Sequence, residues 1–559
     1  MSDPSRPPGS VHPAPSVLSR FLALGVELVL PLILYLTLAF WNALIHAERI
    51  NPDGICYARL AKYLVAGDFQ DAISTYWSPL FAWSMAPLLM LGVDALNAAS
   101  VVQVLWGAGL LLAFHWFLTT WTDLGSWARA LTMLLLVLPL VDYANFVVAP
   151  DVALAACLLS YFAALGDPQW RSSRIGLLGI GILGGGAYWT KAYALPFVLI
   201  HLPLTILAFG APARMTRRLR DTAIAFLGLA IPVALWVSAL TWQHGSLTLG
   251  TSGPINHAVV GPPDVLRYHP VVFGVPSPPH ISVWETPEKL PYKFWSPFQS
   301  RAYFQYQLGI IRDNAGRMAR VLGNFDALRL SAILFVLLLP LGWWLKHDAR
   351  TRTLLWWTAA TILVYLSGYL FVAFEPRYAN SLILPLLVAA GLQMVLAPTR
   401  NLPNLGRLLI VATVAGSLAW TWVPLTRQGL TQASPSYMRA LADSLPELNF
   451  RGPFATTSWY HGVALAFCTD QPTVGFPPDA SPEVCAERLR EAGVNWIVVW
   501  DMPFYPPQPV QDLYPPTIPR ATRIVQEEPG WKLQRAVSVP FRGREARIYF
   551  YQRMNSIAP

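Results

Sequence analysis

Apolar stretches long enough to cross a membrane recur along this chain, separated by polar connections. The first, Phe21 to Ile45, is apolar for about 25 residues, longer than the core of a cleavable signal, and predicts a helix that stays in the membrane. Further runs at about 97–118, 128–148, 151–166, 174–190, 193–209, 222–242, 327–345, 354–373, 379–396 and 407–424 bring the expected total to eleven spans. Residues 1–20, Pro-rich from Met1 to Pro15, are expected to be a disordered start. The pattern then gives a transmembrane body at 21–425, with large polar insertions at about 46–94 and 243–326, and a separate tail at 426–559. The expected fold class is mainly α: a polytopic transmembrane helix bundle with periplasmic amphipathic helices and a small C-terminal α/β domain.

The basic residues test that count. With the N-terminus in the cytoplasm, the even-to-odd connections hold Arg129, then Arg171 and Arg174, then Arg214, Arg217, Arg218 and Arg220, then Lys346, Arg350 and Arg352, then Arg400 and Arg407. All fall on the cytoplasmic side, as the positive-inside rule requires. An even number of spans would keep these loops inside but bring the tail into the cytoplasm; the apolar run Leu408 to Val423, followed at once by polar sequence, favours eleven. The expected setting is the plasma membrane, crossed many times, with the tail outside.

Composition agrees. The 559 residues are 54% hydrophobic and 13% charged, with mean hydropathy +0.42; that charged fraction is about half the soluble norm and excludes a soluble globular protein. Collagen-like, disordered and disulfide-scaffold classes fail as well. The net charge of +9 reads as a record of topology rather than a basic patch, so nucleic acid is not an expected partner.

Within the first insertion, the stretch from Tyr57 to Leu64 has apolar residues at helical spacing and reads as a helix lying flat on the membrane, with Arg59 and Lys62 snorkelling. The tail is nearly charge-balanced. Its segment Ser481 to Trp500 predicts a helix opened by Pro482 and Glu483 and stopped at Gly493, then a buried strand, and Arg547 to Tyr551 predicts a final strand. It holds no GxGxxG, P-loop or nucleophile elbow, which favours a recognition or structural module. Cys468 and Cys485, on the oxidising side, form a disulfide or remain two thiols; the spacing does not choose.

Candidate chemistry gathers where helices meet the outer boundary. Asp53 begins the first insertion, Asp151 lies at the third-to-fourth turn, Lys191 at the fifth-to-sixth, and Glu375 with Arg377 at the ninth-to-tenth. Each alone reads more simply as an interface marker. Together, carboxylates beside a Lys and an Arg are what group transfer from a lipid phosphate requires: a carboxylate takes the proton of an attacking hydroxyl, and cations neutralise the departing phosphate. Glu27 and His115 are isolated within helices, and Gly184 to Gly186 interrupts the fifth span near Lys191, where close packing under a phosphate site is one reading.

At these residues the chain resembles the GT-C superfamily of membrane glycosyltransferases, in the pattern of protein O-mannosyltransferases and lipid A aminoarabinose transferases. The resemblance is carried by Asn51-Pro-Asp53-Gly-Ile-Cys-Tyr57, Gly67-Asp68-Phe69, Tyr76-Trp-Ser-Pro79, Ala149-Pro-Asp151, Tyr188-Trp-Thr190-Lys191 and Glu375-Pro-Arg377-Tyr378, in that order. It implies a polyprenyl-phosphate-linked sugar as donor, an inverting single displacement, Asp53 as catalytic base, Asp151 as a second acidic residue, and Lys191 and Arg377 as ligands of the donor phosphate. Tyr57, Tyr76 and Glu375 become candidates to line the cavity.

Two positions depart from the pattern: Gly54 stands where many relatives have Glu, and Trp77-Ser78-Pro79 where they often have His-Pro-Pro. Both changes remove metal ligands. No cofactor is certain, and a divalent metal stays open through Asp53, His257, His269 and His280, although three histidines without ligand spacing read more simply as surface residues. The acceptor, whether a lipid, a glycan or a protein hydroxyl, has no visible code, and neither has the sugar. The alternative reading is a non-catalytic transporter or scaffold subunit for a lipid-linked glycan, using the same cations.

Overall fold

The computed structural model describes residues 24–46, 51–209, 214–266, 269–324, 348–396, 437–476, 481–501, 518–527, 530–541 and 544–554, with four further positions between 416 and 427. The expected spans at 327–345 and 407–424 lie outside the described residues, the latter but for two of those positions. The other nine ranges coincide with helices: α1 (Gly25–Ile45), α4 (Ala95–Trp121), α5 (Ser126–Phe146), α6 (Asp151–Gly166), α7 (Arg174–Thr190), α8 (Ala194–Ala208), α9 (Met215–His244), α12 (Ala349–Ser367) and α13 (Arg377–Leu396). Between them lie α2 (Pro52–Ala66) and α3 (Leu80–Met90) in the first insertion, and α10 (Ser252–Val259) and α11 (Arg301–Asn324) in the second. Among the described residues, six helices are long and apolar enough to cross a membrane: α1, α4, α5, α9, α12 extended to Phe371, and α13. The protein is a multi-pass membrane protein, mainly helical.

The bundle core runs through α4, α5, α6, α8, α12 and α13, where Phe114, Phe117, Phe162, Phe197 and Trp357 are fully or almost fully buried. Helices α7 and α9 approach closely because glycines face backbone: a Cβ at Gly181 would fall on the Ala225 carbonyl, and one at Gly228 on the Leu178 carbonyl. Of the run Gly184 to Gly186, Gly184 faces Val198 and Tyr161, Gly185 faces Pro232, and Gly186 opens on free space. The run therefore serves helix packing. Glu27 and His115, read from sequence as isolated, are partners. Arg129 grips Glu27 with Nε at 2.8 Å and Nη2 at 2.9 Å, and His115 Nε2 lies 3.3 Å from the same carboxylate. Three helices bring together charges that none could bury alone.

After the bundle, α14 (Tyr437–Asp443), β1 (Phe454–Thr456), α15 (Trp459–Thr469), β2 (Thr473–Val474), α16 (Pro482–Glu491), β3 (Trp496–Asp501), α17 (Ile518–Glu527), β4 (Trp531–Phe541) and β5 (Arg544–Arg553) build one five-stranded sheet in the order β2-β1-β3-β5-β4. The β1 strand is parallel to β2 and β3; β5 is antiparallel to β3 and β4. Central β3 alternates faces: Trp496, Val498 and Trp500 pack with α14 and α15, while Ile497 and Val499 pack with α16 and α17. Cys468 belongs to the first face and Cys485 to the second, so the sheet separates them and they do not bridge to each other.

Helix α2 does not lie free on a membrane. Its Arg59 is buried, bonded to Asp470 Oδ1 on α15's C-terminal side (2.9 Å), to the Pro279 carbonyl (2.8 Å), to Tyr63 Oη (2.8 Å) and to Glu285 Oε2 (3.4 Å). Lys62 lies over the Phe467 ring at 4.8 Å. Tyr57 to Leu64 gave an amphipathic signal because the helix meets the aromatic insertion on one face and the sheet unit on another, with Ile55 part of the sheet unit's own core.

Candidate active site

Three of the five charged candidates directly follow a proline at a helix start. Pro52 is the first residue of α2 and Asp53 the second; Pro150 precedes Asp151, which opens α6; Pro376 precedes Arg377, which opens α13. Proline suits the first helical turn, where its missing N–H costs no bond, and the helix N-terminus favours the two carboxylates. Lys191 stands just past the end of α7, in extended backbone.

These helix ends converge. Arg377 Nη2 donates to Asp53 Oδ2 at 2.8 Å and Arg377 Nε to Glu375 Oε2 at 2.7 Å, with Asp151 Oδ2 at 3.9 Å from Nε. Lys191 Nζ donates to Asp151 Oδ1 at 2.8 Å and lies 3.6 Å from the centre of the Tyr378 ring. Burial pulls the Lys191 ammonium below its ordinary range, against the pull of Asp151 in the other direction. Five charges thus form one cluster with three negative and two positive members. Side-chain exposures of 25% for Asp53, 21% for Arg377 and 23% for Lys191 keep it open to a ligand, while Asp151 at 10% is the deeper carboxylate.

The surrounding contacts hold the cluster in place. Asn51 Nδ2 donates to the Val148 carbonyl (3.2 Å) and the Val148 N–H donates back to Asn51 Oδ1 (3.0 Å), tying the start of α2 to the chain entering α6. Gly54 makes that approach possible: a Cβ there would lie 2.7 Å from Val148 Cβ. The space beside Gly54 is filled by Val148. Ahead of Arg377, Asn314 Nδ2 on α11 donates to the carbonyls of Tyr369 (3.3 Å), Leu370 (3.1 Å) and Val372, and Gln307 Nε2 to that of Phe371 (3.3 Å).

The aromatic candidates divide. Tyr57, 4% exposed, packs edge-on against Trp77 and Phe81 behind the cluster, and burial together with Asp53 and Asp151 pushes its hydroxyl well up. Tyr76 is half-buried, edge-on to Trp77, with its hydroxyl 3.3 Å from Asn256 Oδ1. The histidines are not surface groups: His269 and His280 are buried, and His257 is half-buried, stacked on Trp295 at 4.4 Å with Nε2 at 2.9 Å from Gln307 Oε1. His280 pairs with Asp71 at 3.3 Å. They are spread over separate contacts, and among the described residues no three His, Cys, Asp or Glu side chains are grouped to hold a metal ion.

Sequence reasoning missed Trp284, whose Nε1 donates to Asp53 Oδ1 at 3.2 Å. The Ser282-x-x-Glu285 spacing was the available signal: it forms a capping box that makes a fixed turn in a Pro-rich loop.

A bundle of spanning helices, with a charged cluster at their ends and a mixed α/β unit beside it, is the architecture of the GT-C membrane glycosyltransferases, and the chain has that fold. Solved structures make the likeness specific. ArnT from Cupriavidus metallidurans bound to undecaprenyl phosphate superposes with TM-score 0.56 at 14% identity, over 96% of this chain and 98% of that one. The apo oligosaccharyltransferase of Archaeoglobus fulgidus gives 0.53 at 12% identity, over 87% and 70%, and AglB from the same organism, with an inhibitory peptide and dolichol-phosphate, gives 0.54 at 10%, over 97% and 75%. No protein-family model and no curated protein sequence matches this chain.

Proposed function

We propose that this protein is a glycosyltransferase that moves a sugar from a polyprenyl-phosphate donor to an acceptor hydroxyl, with inversion, at the extracytoplasmic face of the plasma membrane. The observation that carries the reading is the convergence of Asp53, Asp151, Lys191 and Arg377 from four helix ends. Structures of this fold bound to undecaprenyl phosphate and dolichol-phosphate support the donor class. The arginines in the connections at the opposite ends of the helices support an outer location for the cluster.

In this mechanism Asp53 accepts the proton of the acceptor hydroxyl as its oxygen attacks the anomeric carbon and the bond from that carbon to the phosphate oxygen breaks. Lys191 and Arg377 take up the charge of the leaving lipid phosphate, Arg377 through N–H groups other than the Nε held by Glu375. Asp151 fixes Lys191, and Glu375 fixes the orientation of Arg377. The α/β unit reaches the loop that holds Asp53 through Trp459, edge-on to Trp284.

The test is release of undecaprenyl phosphate from a panel of undecaprenyl-phosphate sugars by the purified protein, with envelope extract as acceptor. Asp53→Asn is expected to fold and bind undecaprenyl phosphate while losing transfer. Near-normal turnover in that variant removes Asp53 as base, and binding without turnover of any donor by the unmodified protein replaces the enzyme with a carrier or scaffold.

A further inference from the structure

The Asp53 carboxylate is held at both oxygens by donors of different kinds. Oδ2 takes a bond from Arg377, a cation that the proposed reaction needs for phosphate; Oδ1 takes a bond from the Trp284 indole, a neutral group that has no other task there. Trp284 is itself immobilised. Its backbone N–H is bonded to Ser282 Oγ (3.2 Å), and its carbonyl accepts from Trp77 Nε1 (3.0 Å) and lies 3.2 Å from Cys56 Sγ. Its ring lies edge-on to Trp77, His269 and Trp459, with centroids at 5.7, 5.5 and 5.8 Å. The next residue, Glu285, ends the same turn by accepting from the Ile281 and Ser282 N–H groups (2.8 and 3.1 Å) and from Tyr63 Oη (2.7 Å), and it pairs with Arg59. A chain of contacts thus runs from Asp470 through Arg59 and Glu285 to the turn that aims the indole at Asp53.

Resting on the glycosyltransferase reading above, we propose that Trp284 is the positioning residue of the base: it fixes Asp53 through Oδ1 and leaves Oδ2, on the cation side, for the acceptor proton. Arg377 is then the exchangeable partner: its Nη2 passes from Oδ2 to the lipid phosphate while Glu375 still holds Nε, and the carboxylate does not swing. A neutral donor is the suitable anchor, because a second cation would compete for the phosphate and weaken the base. Placing this donor on the second insertion also explains why that loop is folded around aromatic contacts so close to the first.

Trp284→Phe keeps a ring and deletes the N–H. With the donor found active in the release assay, kcat is expected to fall about tenfold or more, the effect of losing a hydrogen bond to a charged group, while KM for the donor and binding of undecaprenyl phosphate stay within about twofold. A kcat within about twofold of the unmodified protein overturns the proposal, as does an equal loss of undecaprenyl phosphate binding, which marks a general structural defect. A second measurement needs neither donor nor a Trp284 variant that folds: hydrogen exchange at the Trp284 indole N–H in the full-length protein and in Asp53→Ala. Faster exchange after loss of the acceptor is expected, and unchanged exchange overturns the proposal. Failure of the unmodified protein to release undecaprenyl phosphate from any donor overturns the functional reading instead, and the exchange result still decides whether Trp284 holds Asp53.

Discussion

Arg377 and Asp53, 324 positions apart in the chain, meet through a 2.8 Å bond between Nη2 and Oδ2. The guanidinium also holds Glu375, so the start of α13 is fastened to the start of α2 by the side chain assigned to the donor phosphate. In the proposed mechanism an incoming phosphate therefore meets cations already set in position, and no side chain has to be recruited from solvent.

Removing either cation is expected to weaken undecaprenyl phosphate. Lys191→Ala and Arg377→Ala should each bind it about tenfold or more less tightly, the scale of one charge-assisted hydrogen bond. Asp151→Asn, by contrast, releases Lys191 from its partner and should bind at least as tightly as the unmodified protein. Quenching of tryptophan fluorescence by undecaprenyl phosphate, with undecaprenol as the neutral control, measures all three. Unaltered binding in Lys191→Ala removes that residue from the phosphate site.

Gly54→Ala places a methyl group 2.7 Å from Val148 Cβ in the segment that carries Asp53. The cost is about 1–3 kcal/mol of overpacking, part of it taken up by moving the start of α2. Transfer should fall more than thermal stability suggests, because the displaced residue is the neighbour of the proposed base. Activity and melting temperature measured on one preparation check this, and full activity shows that Val148 yields freely.

The two acidic partners of Arg59 are unequal. Glu285 has a side-chain exposure of 1% and Asp470 of 76%. Arg59→Met leaves Glu285 buried without its cation and is expected to destabilise the protein by about 3–5 kcal/mol. Asp470→Asn removes an exposed partner and should cost no more than about 1 kcal/mol. Thermal unfolding in detergent distinguishes them, and equal effects contradict the burial argument.

Acid should loosen the α/β unit through His461, stacked near Trp500 at 5.0 Å and 2.7 Å from Ser458 Oγ. Burial holds its imidazole down to about 4, below the ordinary 6.5. The unfolded chain takes up a proton below pH 6.5 that the folded chain refuses, so stability is full above pH 6.5 and declines as pH falls toward about 4. The slope from this one group is at most about 1.4 kcal/mol per pH unit. Unfolding measured between about pH 7 and 4.5 should show a shallower decline in His461→Gln, and identical slopes exclude the group.

Much of the site was readable along the chain because its members follow local rules. A proline before each of Asp53, Asp151 and Arg377 marks a helix start, and the alternation of long apolar runs puts those starts at one end of the bundle. Arg59 and Glu27 were misread for a common reason. A charge in an apolar helix is expensive alone, and its partners, Glu285 with Asp470 in one case and Arg129 with His115 in the other, come from distant segments that local pattern does not connect. The histidines were misread likewise, since burial depends on what folds over a loop.

By itself the sequence determined the membrane class, the places where helices begin and the residue types at one end of the bundle, because apolar length, proline and charge act over a few residues. Only the tertiary structure decided which charges pair, that Val148 occupies the space beside Gly54, that a sheet parts Cys468 from Cys485, and that Trp284 reaches Asp53. Those facts depend on distances between segments up to hundreds of residues apart, set by packing of whole helices and one sheet rather than by any local preference.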